Sequence, residues 1–468
     1  MREIVQIDIS GSDKPGITKA LTQVLARYDV TVLDIGQSVI HNTLALGLLV
    51  ELPEEPAGCP VFKELLFSAH ELGLDVRFTP VAADAYEDWV AEQGQARHIL
   101  TLLGREISAA QIAQVAAVVT QNQLNIEQIS RVSGRITRRT TGAVDLSTDI
   151  GVAVSATART NDSGSANASS SINANASTSA EISTSASGSA SGSSNASVNA
   201  NRPQRPACVQ LWLKGPVADV DALHASFLEL GSQLDVDIAI QEDDIFRRNR
   251  RLVCFDMDST LIQTEVIDEL AAAAGVGPQV AEITERAMQG ELDFSESFRR
   301  RMALLEGLDE SVLSEIAERL PITDGAERLI GALKQLGYRV AILSGGFTYF
   351  AEHLQRRLGI DDVHANQLEF EHGRLTGRVT GRIVDGQRKA ELLREIAARE
   401  GIRLEQVIAV GDGANDLPML SIAGLGIAFH AKPLVKEQAR HSIATVGLDG
   451  ILYLIGMRDR DLEALGRG

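Results

Sequence analysis

One stretch constrains the fold of this chain more than any other: Arg251 to Glu265, which reads RLVCFDMDSTLIQTE. Its apolar run, Leu252 to Phe255, shows no alternation, as expected of a strand buried on both faces of a helix-covered sheet. The run delivers Asp256, Asp258, Ser259 and Thr260 to the strand's exposed end. Residues two apart in an extended chain point to one side, so Asp256 and Asp258 face one small volume. Carboxylates that close repel each other and need a cation or a shared proton.

The chain has 468 residues, too many for one ordinary core; a prior of roughly 150 residues per domain suggests about three domains. Its net charge of -19 disfavours non-specific binding to nucleic acid or anionic membranes and suits small polar metabolites. Cys59, Cys208 and Cys254 stand far apart without a CxxC pair, so neither a zinc site nor a disulfide framework is indicated. The start, MREIVQIDIS, lacks a signal-peptide pattern, and no apolar run nears the roughly 18 residues that span a bilayer. The expectation is a soluble protein of the reducing cytoplasm.

Residues 1–85 alternate strand and helix signals. EIVQIDIS has period two; the turn DKPG leads into a helical stripe of Ile17, Leu21, Val24, Leu25 and Tyr28. Two strand-like runs flank His41-Asn42, which reads as a tight hairpin turn. A helix over Val61 to Gly73 and a strand over Asp75 to Phe78 complete a βαββαβ order, an α+β sheet with both helices on one face. Residues 96–242 repeat the order, from HILTLLG to DVDIAIQ. Inside the second copy lies a low-complexity insertion, 136–206, rich in Ser, Ala and Asn. Its composition favours disorder, although alternating Val144, Leu146, Ile150, Val152 and Val154 would also extend the hairpin as an arm. Closure entropy grows by roughly 0.6 kcal/mol per doubling, so a sixteen-fold longer loop costs about 2.4 kcal/mol and the module survives it.

The two copies resemble tandem ACT domains, small-molecule-sensing modules often attached to amino-acid enzymes. The resemblance is firmest at Asp13-Lys14-Pro15-Gly16. It implies an amino-acid effector site at Asp13 and Gly16, where the absent Cβ and the helix amides admit an anion. The plainer reading is that Pro15-Gly16 only turns strand into helix. The second copy has Gly-Arg-Glu-Ile-Ser at this place. Homodimerisation through the ACT sheets follows from family habit and from the need to cover sheet edges.

From residue 250 to 468 the rhythm becomes α/β. Strand signals at Leu252–Phe255, Val340–Leu343, Val407–Val410 and Gly426–Phe429 alternate with helical ones, which indicates a doubly wound parallel sheet. Residues 267–320 carry helical patterns alone and read as a helical cap able to exclude water. Four polar groups fall at element ends: Asp256-Met-Asp258-Ser-Thr260, Ser344-Gly345-Gly346, Lys389, and Gly411-Asp412-Gly413-Ala-Asn415-Asp416. In this order the segment resembles a haloacid-dehalogenase superfamily phosphatase, and Thr264-Glu265, FSESFRRRMALL, SGGF and VGDGANDLPM make it similar to the phosphoserine phosphatases.

That resemblance implies hydrolysis of O-phospho-L-serine to serine and phosphate, the last step of serine biosynthesis. Asp256 would be the nucleophile forming an aspartyl-phosphate, and Asp258 the general acid and then base. Mg²⁺, which prefers octahedral oxygen ligands, would take Asp256, the Asp258 backbone carbonyl and Asp412. Ser344 and the amides of Gly345 and Gly346, expected at a helix N-terminus, would hold phosphate, with Lys389 offsetting transition-state charge. Asn415 would bind substrate, and Asp416 with it would orient the metal shell, unless both simply cap a helix. Glu265 would bind the substrate ammonium and Arg301 its carboxylate; a Glu265–Arg301 bridge closing the cap is the alternative. Met288 and Phe294 line the same pocket or belong to an apolar core, and Arg299 and Arg300 are expected in solvent. Two other functions remain open: action on a different small phosphate ester, including transfer to another alcohol, and an amino-acid-sensing protein with an inactive phosphatase fold.

Overall fold

The computed structural model of the chain describes residues 3–53, 60–134, 206–288 and 291–465. The insertion expected over 136–206 lies outside them except for its last residue, as does Cys59; the Met288 side chain is also outside. Among the described residues no helix is long and apolar enough to cross a membrane.

The first module runs β1 (Ile4–Ser12), α1 (Ile17–Arg27), β2 (Thr31–Ile40), β3 (Thr43–Glu51), α2 (Pro60–Leu72) and β4 (Leu74–Val81). Its antiparallel sheet has the order β2-β3-β1-β4. Period-two alternation turns Leu44, Leu46, Leu48 and Val50 of β3 inward, against Ile17, Leu21, Val24 and Leu25 of α1. His41 takes the left-handed conformation, φ 59°, that a tight hairpin requires. A short helix without a sequence expectation, α3 (Ala83–Ala91), then leads to the second module.

That module repeats the order with β5 (Arg97–Gly104), α4 (Ala109–Gln121), β6 (Asn125–Arg131), β7 (Ala207–Lys214), α5 (Val220–Leu234) and β8 (Asp237–Glu242). Its sheet, β6-β7-β5-β8, matches the first strand for strand. One face packs its own helices. From the other, Leu103, Val132, Cys208 and Ala239 enter the core of the carboxyl-terminal domain. Polar side chains fix the join: Gln210 Nε2 donates to the Tyr453 carbonyl at 2.9 Å and Gln241 Nε2 to that of Leu454 at 3.1 Å. Asp237 accepts from the Ala444 and Thr445 amides at 2.7 and 2.9 Å and from the Thr445 hydroxyl at 2.6 Å.

The third unit is α/β. Its sheet follows the order β12-β11-β10-β9-β13-β14-β15, built from β9 (Leu252–Phe255), β10 (Arg339–Phe347), β11 (Asp362–Glu371), β12 (Arg374–Thr380), β13 (Val407–Gly411), β14 (Leu425–Phe429) and β15 (His441–Ile443). All neighbours pair in parallel except β11 and β12. The helices outside the cap are α10 (Ala326–Gln335), α11 (Thr348–Leu358), α12 (Gly386–Arg399), α13 (Leu417–Ile422), α14 (Pro433–Gln438), α15 (Ile451–Leu454) and α16 (Asp459–Leu465). From β9 the chain builds outward through β10, β11 and β12 on one side, then crosses by α12 to β13 on the other side of β9, a switch point where strand ends open a crevice.

The cap comprises α6 (Val266–Ala273), α7 (Gly277–Met288), α8 (Phe294–Ala303) and α9 (Ser311–Arg319). The chain rises into it and returns through a narrow neck, where Thr323 N–H bonds the Leu261 carbonyl and Gln263 N–H that of Pro321. The β11–β12 hairpin, absent from the sequence expectation, turns at His372-Gly373, both with positive φ. It props the cap, since the Gly307 amide donates to Leu375 and the Leu375 amide to Leu308.

Asp237→Ala leaves three donors of the 444–445 loop without their acceptor. The donors are part-buried, so water recovers some of the about 1–3 kcal/mol that each fully buried one would cost, and the expected loss is about 2–4 kcal/mol of unfolding free energy. Denaturant unfolding of the full chain measures it; a change within about 0.5 kcal/mol, the level of a neutral surface substitution, would contradict this join.

Candidate active site

Three adjacent strands place their carboxyl ends side by side. Asp256 follows β9, and its amide donates to the Val410 carbonyl of β13 at 2.9 Å, which pins the two ends together. Asp256 Oδ1 accepts from the Met257 amide at 2.7 Å and lies 2.9 Å from Lys389 Nζ. Lys389, in the first turn of α12, is wholly buried and lies 2.6 Å from Asp416 Oδ1. Asp416 Oδ2 accepts from the Gly413 amide at 2.9 Å. Asp412 takes a longer bond, 3.4 Å, from the buried Thr260 hydroxyl.

The glycines of this loop are spatial requirements. A Cβ on Gly411 would collide with the Asp416 side chain, and one on Gly413 with the Asn415 carboxamide oxygen. Asn415 is half-buried, its backbone pressed against Gly386 at the start of α12. Asp416 occupies the N-cap position of α13 yet makes no capping bond there; its side chain is spent on Lys389 and Gly413.

One oxygen each from Asp256, Asp412 and Asp416 lies within 4.8 Å of the others. Burial, then Asp256 and Asp416, push the Asp412 carboxyl up to about 8. Burial and Asp256 push Asp416 up to about 7. Burial opposes charge on Lys389, but Asp256 and Asp416 outweigh it and raise its pKa. One cation therefore faces three carboxylates, an excess of hard oxygen donors that fits a divalent ion such as Mg²⁺. The carboxylate trio includes Asp416, which sequence reasoning placed behind the metal shell, and omits the Asp258 side chain.

Asp258 points elsewhere because the chain leaves β9 through a wide turn, with Ser259 at φ 54°. Its Oδ1 accepts from the Val266 amide at 3.1 Å, and its Oδ2 occupies the space that a Cβ on Gly346 would fill. Burial, reinforced by Glu265 and Asp256, raises its pKa well above the usual carboxylate range. The result is a carboxyl that holds its proton more readily than an ordinary aspartic acid.

Ser344, Gly345 and Gly346 lie inside β10, before α11 begins at Thr348. They end the strand and stand directly before Phe347, the N-cap residue of α11. A bulge shapes them: β10 pairs β11 at Leu343 and again at Phe347, and the three residues between swing out of register. Ser344 Oγ accepts from the Gly346 amide at 2.9 Å. Above them, the Phe294 ring of α8 comes within 3.1 Å of where a Gly345 Cβ would stand.

Glu265 opens the cap as the N-cap residue of α6, and its Oε1 accepts from the Ser259 hydroxyl at 2.9 Å. Its surface is open to solvent while the carboxyl sits low in the site, where burial raises its pKa against the Ser259 bond. Arg301 of α8 is half-buried with an unpartnered Nε, and burial lowers its pKa against the pull of Glu265 and Asp268. No ion pair joins Glu265 to Arg301 among the described residues, so both keep capacity for a ligand. Arg299 and Arg300 are exposed, and Arg300 pairs with Glu296.

Sequence reasoning passed over Asn366 in β11. It is buried, donates to the Gly345 carbonyl at 2.8 Å and accepts from the Val384 amide at 2.9 Å. Its only signal was a polar amide in a strand, a type depleted there.

The second candidate site is in the first module. Gly16 precedes α1 in the left-handed conformation, φ 95°, with open space where its Cβ would be. No side chain caps α1, whereas Ser108 and Gln111 close the matching helix α4 with a capping box. Asp13 meets the hairpin through its amide, 2.7 Å from the Asn42 carbonyl.

Residues 250–424 match the haloacid dehalogenase-like hydrolase family, and residues 3–79 the ACT domain. The chain is 37% identical over 465 residues to phosphoserine phosphatase SerB2 of Mycobacterium tuberculosis, covering 99% of this chain and 96% of that one. It is also 37% identical over 458 residues to a phosphoserine phosphatase of Streptomyces coelicolor, covering 98% and 93%. Among solved structures, the probable phosphoserine phosphatase from Vibrio cholerae, in unliganded form, superposes with a TM-score of 0.51 at 29% identity, over 81% of this chain and 90% of that one. With the fold, the strand-end carboxylates and whole-length relatives in agreement, the chain belongs to the phosphoserine phosphatases of the haloacid dehalogenase-like hydrolases.

Proposed function

We propose that the protein hydrolyses O-phospho-L-serine to L-serine and phosphate, with Mg²⁺ as cofactor, as the last step of serine biosynthesis. The observation that carries this reading is Lys389 clamped between Asp256 and Asp416, beside an Asp258 carboxyl whose burial raises its pKa. Among the described residues, the Met257 amide and Lys389 both meet Asp256 at Oδ1, which leaves Oδ2 for phosphorus or metal. In the first step an Asp256 oxygen forms a bond to phosphorus while the bond to the seryl oxygen breaks, and Asp258 gives that oxygen its proton. In the second, Asp258 takes a proton from water as the water oxygen displaces Asp256 and phosphate leaves. Asp256, Asp412 and either Asp416 or the Asp258 carbonyl would hold Mg²⁺, which would supply neutralisation of phosphoryl charge.

Ser344 and the Gly345 amide cradle the phosphoryl group, Lys389 offsets its charge, and Asn415 borders it at the rim. Glu265 and Arg301 take the ammonium and carboxylate of the serine moiety, and Phe294 walls it. Gly16 and the uncapped α1 amides, with Asp13 beside them, favour the first module over the second as an amino-acid effector site. The exposed β2 edge, with Ile35 and Ile40 in solvent, favours a homodimer built on that sheet. A cytoplasmic location agrees with Cys208 and Cys254 being free thiols.

Asp256→Asn is expected to abolish both turnover and the acid-trapped phosphoenzyme formed from labelled phosphoserine in Mg²⁺; normal turnover in that variant would end the mechanism. Arg301→Ala is expected to lower kcat/KM for phosphoserine about 100-fold, roughly 3 kcal/mol, while sparing a phosphate ester without a carboxylate. Equal losses on both esters would assign Arg301 to the cap's structure and reopen action on a different substrate.

A further inference from the structure

The groups assigned to phosphate come from two segments with no direct sequence link. Ser344–Gly346 belong to the bulge in β10, and Lys389 rides on α12, some forty residues later. A bulge breaks its ladder and leaves backbone groups without partners. Where β10 swings out, the Gly345 carbonyl would be one of them. The Asn366 carboxamide takes that place, its Nδ2 donating to Gly345 at 2.8 Å. Its Oδ1 accepts at 2.9 Å from Val384, immediately before Asp385, whose carboxylate caps α12 through the Arg388 amide at 2.8 Å. Asn366 is 2% exposed, so neither bond is shared with bulk water.

The partners dictate the residue type. Gly345 offers only an acceptor and Val384 only a donor, so the bridge needs one donor and one acceptor on a single short planar group. Asp lacks the donor when ionised, and Ala lacks both groups. Sub-ångström drift between the bulge and α12 would move the cradle away from Lys389, and such supporting contacts typically carry 10–100-fold effects.

We propose that Asn366 is a positioning residue for phosphate: its carboxamide fixes the Ser344–Gly346 bulge against the helix that carries Lys389. The inference rests on the reading that Ser344–Gly346 receive the phosphoryl group. It separates the two halves of the substrate, because Glu265 and Arg301 lie on the cap and the Asn366 bridge does not touch them.

The test uses the full chain in Mg²⁺ and two product inhibitors, inorganic phosphate and L-serine. Asn366→Ala and Asn366→Asp are expected to raise the Ki of phosphate about 10–100-fold and to lower kcat, with the Ki of L-serine within about threefold of the parent. Asn366→Asp nearly preserves volume and the Val384 acceptor, so it keeps the test open if the alanine variant does not fold by thermal melting. Ser344→Ala serves as control. The proposal is overturned if Ser344→Ala weakens phosphate but the Asn366 variants do not, or if they weaken phosphate and serine equally. An unchanged phosphate Ki in Ser344→Ala overturns the cradle reading and the Asn366 proposal with it.

Discussion

Lys389 is buried completely between Asp256 and Asp416, and the rest of the catalytic architecture is arranged around that ion pair. A buried ammonium is costly unless its charge and hydrogen bonds are met, and here two carboxylates meet both. The arrangement overshoots, because Asp412 adds a third carboxylate within reach of the other two. Burial and mutual repulsion push Asp412 and Asp416 upward, so the metal-free fold retains protons that an unfolded chain would release near neutral pH. The native state binding more protons means its stability falls as pH rises from the ordinary Asp value of 3.8 toward about 8. A cation removes that penalty. On the proposed reading, metal affinity and catalytic charge balance thus have one origin.

The backbone around this centre is shaped to admit it. Gly411 and Gly413 leave room for Asp416 and Asn415, and Gly346 leaves room for the Asp258 carboxylate. Ser259 in the left-handed region bends the chain so that Asp258 stays low while Glu265 climbs into the cap. The cap leans on the sheet through aromatic contacts, with Phe298 6.0 Å from Phe347 and Phe294 over Gly345. It rests on the β11–β12 hairpin, where Gly377 closely approaches the backbone of Met302 and Ala303. The groups proposed for specificity and for chemistry therefore meet at the strand ends, yet they hang from different elements.

Much of this was legible before any coordinates. The unbroken apolar run before Asp256 marks a doubly buried strand, and the strand-end polar residues follow from the crevice at a switch point. The first βαββαβ order was legible because β1 and β3 alternate and α1 carries a clear stripe, whereas β5 and β7 are buried almost throughout and were legible as short apolar runs. What escaped depends on partners distant in sequence. Asn366 has meaning only beside a bulge in β10, which no local pattern announces. The β11–β12 hairpin was hidden because its turn, His372-Gly373, lacks the usual Asn-Gly or Asp-Gly signal. The bulge that carries Ser344–Gly346 up to the N-cap of α11 escaped for the same reason as Asn366, since it shows only in the pairing of β10 with β11. The burial of Gln210 and Asp237 against residues 444–454 reflects domain docking, and their own strands give no sign of it.

Thermal unfolding of the parent chain and of Asp412→Asn, with and without Mg²⁺, tests the charge-excess account most directly. The comparison belongs above the value of about 8 to which Asp412 is pushed, where its carboxyl is ionised. The account predicts that Asp412→Asn is more stable than the parent without metal, because one repelling charge is gone, and that it loses most of the stabilisation that Mg²⁺ gives the parent. A variant less stable than the parent without metal, or one with an undiminished response to Mg²⁺, would contradict it.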